Sequence, residues 1–120
     1  MKKKTLIIGA TDNPSRYANL AANRLVAHGH TIVNIGIKSG EAAGVPIEPA
    51  GETLKDIDTI TLYVGPQTQP QYYDYIIKSK PKRIIFNPGT ENPELEELAE
   101  QNGIETLEAC TLVMLSTGQY

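Results

Sequence analysis

At 120 residues, with 40% hydrophobic and 21% charged side chains, the chain has the make-up of one ordinary globular domain, too small to hold a second catalytic domain. A formal net charge of −3 argues against nucleic acid or an acidic membrane as a general partner. The single cysteine excludes an internal disulfide and a cysteine-based zinc cluster.

The start, Lys2-Lys3-Lys4 followed by Thr5–Ala10, has the outline of a signal peptide. Its apolar run is shorter than an h-region, however, and Asp12, Asn13, Pro14 and Arg16 follow at once. No stretch approaches the length of a membrane span, so a cytoplasmic protein is expected.

Residues 5–8 read as a first strand, without alternation and therefore buried on both faces. The run stops at Gly9, passes through a small polar loop and becomes an amphipathic helix from about Ser15 or Arg16 to His28. Ala18, Ala21, Ala22, Leu25 and Val26 recur there at helical spacing, and Gly29 ends it. Free N–H groups at such a helix start point into the loop and make a seat for a phosphate. Thr31–Ile35 is a second, β-branched strand. From Gly36 to Glu52, Gly, Ser, Ala and Pro give a long irregular connection with a short extended piece near Val45-Pro46-Ile47. Thr53–Ile57 reads as one helical turn capped by Thr53.

Thr59–Val64 is the third strand, ending at Gly65-Pro66, and a helix follows from about Gln69 to Lys78 with Tyr72, Tyr73, Ile76 and Ile77 as its apolar positions. Arg83–Phe86 is the fourth strand, stopped by Asn87-Pro88-Gly89. Asn92 caps a third helix with Pro93 at its first position, Leu95, Leu98 and Ala99 inward, and Gly103 at its close. Ile104–Leu107 is a fifth strand, and a short tail through Cys110 completes the domain. Strands and helices alternating at this spacing predict a Rossmann-like three-layer α/β domain over residues 1–120, with a mainly parallel five-stranded sheet.

In open parallel sheets, ligands bind outside the C-terminal ends of the strands. Those ends are Gly9-Ala10-Thr11, Gly36-Ile37-Lys38, Val64-Gly65-Pro66 and Asn87-Pro88-Gly89, and each carries a glycine that lets backbone approach a ligand. Turns use Gly and Pro anyway, so it is the four together that point to a site. A dinucleotide fingerprint needs glycines where Thr11 and Pro14 stand, and the acidic residue about 20 residues further on is missing. A lysine such as Lys38 at the end of the second strand can pair instead with a phosphate on a ribose, which leaves NADP or coenzyme A as suitable ligands.

The stretch Gly9-Ala10-Thr11-Asp12-Asn13-Pro14-Ser15-Arg16-Tyr17 resembles the opening of the small stand-alone CoA-binding domain proteins, Gly-Ala-Ser/Thr-x-x-Pro-x-Lys/Arg-Tyr. Further matches follow in order at Lys38, Gly44, Val64 with Pro66, Pro88-Gly89 with Glu91, and Cys110, so the resemblance covers essentially the whole chain. These proteins look like the N-terminal domain of the succinyl-CoA synthetase α subunit. The resemblance implies that Gly9, Ala10, Thr11, Asn13, Ser15, Arg16 and Tyr17 hold the CoA pyrophosphate and that Lys38 reaches the 3′-phosphate. It further implies that Val64, Gly65 and Pro66 flank the adenosine or pantetheine, and that Asn87, Pro88 and Gly89 border the pantetheine arm. The chain departs from the family pattern at Gly65, usually proline, and at Asn87, usually glutamine.

The remaining candidates for chemistry have ordinary explanations. His28 and His30 suit a helix C-terminus. Tyr72, Tyr73 and Tyr75 fit core packing or a subunit contact. Cys110 fits packing, with a mixed disulfide to the CoA thiol as the reactive alternative. Arg16 is the exception, because a helix dipole disfavours a cation at its start unless an anion is present. No nucleophile–base pair, paired carboxylates or metal-ligand spacing stands near the strand ends. The expectation is a non-catalytic module that binds coenzyme A or an acyl-CoA, with a homodimer or a partner enzyme left open. Two other readings stay open: an NADP-dependent oxidoreductase or a subunit of one, and a scaffold that has lost ligand binding.

Overall fold

Thr5–Ile8 (β1) is buried at every position and forms the middle of a sheet in the computed structural model, which describes residues 2–120. After it come α1 (Tyr17–Ala27), β2 (Ile32–Ile35), β3 (Gly40–Ala42), β4 (Val45–Glu48) and β5 (Thr59–Leu62). A 3-10 turn over Gln69–Tyr72 leads into α2 (Tyr73–Ser79), then β6 (Arg83–Phe86), α3 (Pro93–Gln101), β7 (Glu105–Glu108) and α4 (Thr111–Ser116). The fold is mixed α/β, with a seven-stranded sheet in the order β3-β4-β2-β1-β5-β6-β7. All neighbours run parallel except the β3–β4 hairpin.

Both faces of the sheet are covered, which is why β1 and β5 are buried at every position. On one face Leu6, Ile8, Ile60, Leu62, Ile84 and Phe86 pack with Tyr72, Tyr75 and Ile76 and with Leu95 and Ala99 of α3. On the other, Ile7 and Ile32 meet Ala18, Ala22 and Leu25 of α1 and Leu115 of α4. The small alanines bring α1 close to the sheet as expected, but Val26 faces solvent.

Three expectations need correction. The sheet has seven strands, not five, because the connection after β2 contains a hairpin. The extended piece at Val45-Pro46-Ile47 is its second arm, paired in parallel with β2. Thr53–Ile57 forms no helical turn: Asp56 is left-handed at φ +63°, and Ile57 is drawn into the core. The tail after Cys110 is a helix, α4, which covers the sheet beside α1. Tyr120 then returns to the strands' N-terminal ends. Its hydroxyl meets Thr5 Oγ1, and its carbonyl accepts hydrogen bonds from Lys3 Nζ and, at 2.8 Å, from Arg83 Nη2.

Candidate functional site

From β1 the chain passes through α1 to β2 on one side, then crosses to β5 on the other. This reversal opens a crevice between the β1 and β5 ends, where ligands bind in sheets of this kind. A cleft of about 410 Å³ lies there. One wall is Gly9 to Asp12 with Arg16 and Tyr17; Ile37 and Lys38 close one side, and Tyr63, Gly65 and Pro88 to Thr90 the other.

Local sequence explains the shape. Gly9 is at φ +98°, and a Cβ there would come within 2.9 Å of the Tyr63 backbone and of Val64 Cγ1. Only glycine lets β1 turn this tightly against β5. The N–H groups of Gly9 and Ala10 both donate to the Ile35 carbonyl at 2.9 Å, tying the loop to the end of β2. Asn13 Oδ1 accepts from Ser15 N at 3.0 Å and from Ser15 Oγ at 2.8 Å, so these two side chains shape the loop instead of facing the cleft. Asn19, buried on α1, anchors the loop from below by donating to the Thr11 carbonyl at 3.0 Å.

The loop delivers an uncapped helix. Arg16 is the N-cap residue of α1, no side chain accepts a hydrogen bond at that end, and the first turn carries no acid. A cation at the positive end of a helix is unfavourable on its own. Lys38 stands across the cleft as a second cation, and Asp12 supplies the carboxylate among them. Asp12 leans on Gly40, where a Cβ would sit 2.8 Å from Asp12 Oδ2.

The structure therefore brings Gly9, Ala10, Thr11, Arg16, Tyr17, Lys38, Gly65, Pro88 and Gly89 to one cleft. Asn13, Ser15, Val64 and Pro66 lie beside it without lining it. Asn87 is turned inward: 2% exposed, it donates to Thr61 Oγ1 and the Leu62 carbonyl and accepts from Thr111 N. It holds three elements together instead of facing the cleft. Gly44, part of the resemblance, sits in the β3–β4 turn.

The cleft also takes in Asp12, Ala18, Tyr63 and Thr90, which sequence reasoning did not single out, and Ile37, which it named only as part of the end of β2. Tyr63 had a signal, since it directly follows the last strand position of β5. Burial pushes its hydroxyl up to about 12; the Thr111 and Thr61 hydroxyls pull the other way but are bonded to each other at 2.8 Å, and Tyr63 Oη has no hydrogen-bond partner. Among the described residues no cluster of His, Cys, Asp or Glu fits a metal ion.

Fold and cleft together define a mixed α/β domain with a ligand crevice at the switch in strand order. The family described as the CoA binding domain matches residues 3–116, and the chain belongs to it. A crystal structure of an uncharacterized protein is similar over 100% of this chain and 99% of its own, with 53% identity and a TM-score of 0.97. A hypothetical protein from Pyrococcus horikoshii OT3 is 26% identical over 97% of this chain and 82% of its own, with a TM-score of 0.85. A Thermus thermophilus protein shares the fold at 19% identity, covering 99% of this chain and 91% of its own, with a TM-score of 0.86. No curated protein matches the chain.

Proposed function

We propose that this Rossmann-like chain binds coenzyme A or an acyl-CoA, with the pyrophosphate at the start of α1 and the 3′-phosphate at Lys38. The observation that carries the reading is the uncapped α1 start, with Arg16 at its N-cap, facing a cleft with Lys38 opposite. A pyrophosphate there would complete the helix end and reverse the penalty on Arg16. Gly9 lets β1 turn tightly against β5 and so sets the wall from which the loop leads to α1. Arg16 and Lys38 would hold phosphate oxygens, while Pro88 and Gly89 border the outgoing arm.

The reading gives the chain no reaction of its own. The cleft gathers two cations, a carboxylate and two phenols, Tyr17 and Tyr63, the second with its hydroxyl buried, and its lining includes no His or Cys to serve as base or nucleophile. The chain acts as a binding module that senses or carries CoA, or presents it to an enzyme.

Calorimetric titration with CoA, dephospho-CoA and NADPH tests this. CoA is expected to bind, and loss of the 3′-phosphate or Lys38→Ala to weaken it by about tenfold or more, the scale of one charge-assisted contact. No binding of CoA at high micromolar concentration overturns the reading. Tighter binding of NADPH than of CoA replaces it with the oxidoreductase alternative.

A further inference from the structure

Next to the polar cleft lies a smaller pocket of about 250 Å³, lined by Tyr17, Tyr63, Asn87, Pro88, Cys110 and Leu112. It shares Tyr17, Tyr63 and Pro88 with the cleft, so the two adjoin across these side chains. Tyr17 is the first residue of α1 and 70% exposed, standing between the two compartments.

The walls of this pocket offer almost nothing to a polar group. Asn87 is the one amide, and all three of its hydrogen bonds go to Thr61, Leu62 and Thr111 in the interior. Tyr63 contributes its ring, because its hydroxyl is buried. Pro88 and Leu112 are apolar, and Cys110 presents only a weakly polar thiol. The amides of a pantetheine arm would lose their hydrogen bonds to water here without replacement, at a cost of about 1–3 kcal/mol each. An alkyl group loses none. At about 30 Å³ per water-sized group, the volume takes roughly eight such groups, a short chain and not a long one.

Resting on the CoA reading, we infer that the preferred ligand is a thioester with a short unbranched acyl chain, and that the pocket closed by Cys110 and Leu112 is its acyl subsite. Tyr17 and Tyr63 separate the wet phosphate compartment from the dry acyl compartment, and Leu112 limits the chain length.

The test is calorimetry with CoA, acetyl-CoA, butyryl-CoA, hexanoyl-CoA and palmitoyl-CoA. Affinity is expected to rise about fourfold for each methylene buried, then to stop rising once the pocket is full, with palmitoyl-CoA gaining nothing further. In Leu112→Trp, which fills the pocket, the ratio of butyryl-CoA to CoA affinity should collapse to about one. CoA and the short acyl-CoAs binding within about twofold of one another in the wild type would falsify the acyl subsite and leave the CoA reading standing. A butyryl preference that survives Leu112→Trp likewise removes the pocket from the explanation. If CoA and every acyl-CoA fail to bind, the CoA reading itself falls and takes the subsite with it.

Discussion

The helices α1 and α3 both begin above the C-terminal edge of the sheet, and they begin in opposite ways. At α3, Asn92 accepts from Glu94 N and Leu95 N, Pro93 fills the first position, and Glu94 and Glu96 face the positive helix end. Asn92 also donates to Gln69 Oε1 and Tyr73 Oη at 2.8 Å, and Gln69 in turn donates to the Val64 and Thr90 carbonyls. That start is complete from within. At α1 there is no cap and no acid, and the N-cap residue carries the wrong charge. The start of α4 also lacks a side-chain cap and an acid, so what sets α1 apart is the cation at its N-cap, Arg16, on a cleft that Lys38 also lines.

The largest effect that can break this contrast is at the turns leading into the two helices. Gly9 and Gly89 share a positive φ, +98° and +91°, but a Cβ on Gly9 collides with β5 whereas one on Gly89 meets nothing within 4 Å. Gly9→Ala should cost about 3 kcal/mol or more, combining left-handed strain with overpacking, and Gly89→Ala only about 1–2 kcal/mol of strain. Urea unfolding of the two variants measures both. Equal losses would mean that close approach to β5 is not what reserves position 9 for glycine.

Breaking the finished helix end comes next. Asn92→Ala removes the cap, worth about 1 kcal/mol. It also strands the fully buried Gln69 Oε1, worth about 1–3 kcal/mol more. A total near 2–4 kcal/mol is expected by urea unfolding, with CoA affinity of the folded protein within twofold of wild type. A loss below 1 kcal/mol would show that the network around Gln69 re-forms without it.

Much of this contrast can be read from sequence. Asn92-Pro93 announces a capped helix, and an apolar run broken by glycine announces β1 and its turn. What stayed hidden was hidden for physical reasons. The β3–β4 hairpin turns on Ala43 and Gly44, at φ +55° and +78°. Such a turn ordinarily shows Asn-Gly or Asp-Gly, and an alanine in the left-handed region erases that mark. Thr111–Ser116 mixes the helix formers Leu112, Met114 and Leu115 with Thr and Val over six residues and has no side-chain cap, so local preference does not settle a helix there. Burial of Met114 and Leu115 decides it. Asn87, which directly follows β6, lines the smaller pocket and not the main cleft, because its side chain completes hydrogen bonds of β5 and α4 that only the assembled sheet brings near.

Completing the unfinished end by mutation should separate stability from binding. Arg16→Asp places a capping carboxylate at the start of α1 and removes a cation from the positive helix end. The ligand-free protein is expected to gain about 1 kcal/mol, seen as a higher urea midpoint, while CoA affinity falls at least tenfold. A variant that loses stability, or that binds CoA as wild type does, would remove Arg16 from the proposed site.

The smallest effect lies on α3, where acid is favoured only up to a limit. The Glu96 carboxyl is held above its ordinary value of 4.5, first by partial burial, then by a hydrogen bond and repulsion from Glu108, with Asn92 opposing and Glu100 adding to it. Because the folded state holds this proton more tightly than the unfolded chain, the contribution favours folding at low pH. It is lost as pH rises from the unfolded value through the folded one, the reverse of an ion-paired carboxylate. Glu108→Gln should therefore lower the Glu96 midpoint in an NMR pH titration and raise the urea midpoint slightly at pH 7, by a few tenths of a kcal/mol at this largely solvated site. A Glu96 midpoint that does not move would leave burial alone as the cause. The surplus of acid at α3 would then be a matter of where the helix sits, and the contrast with α1 would rest on the caps and not on the charges.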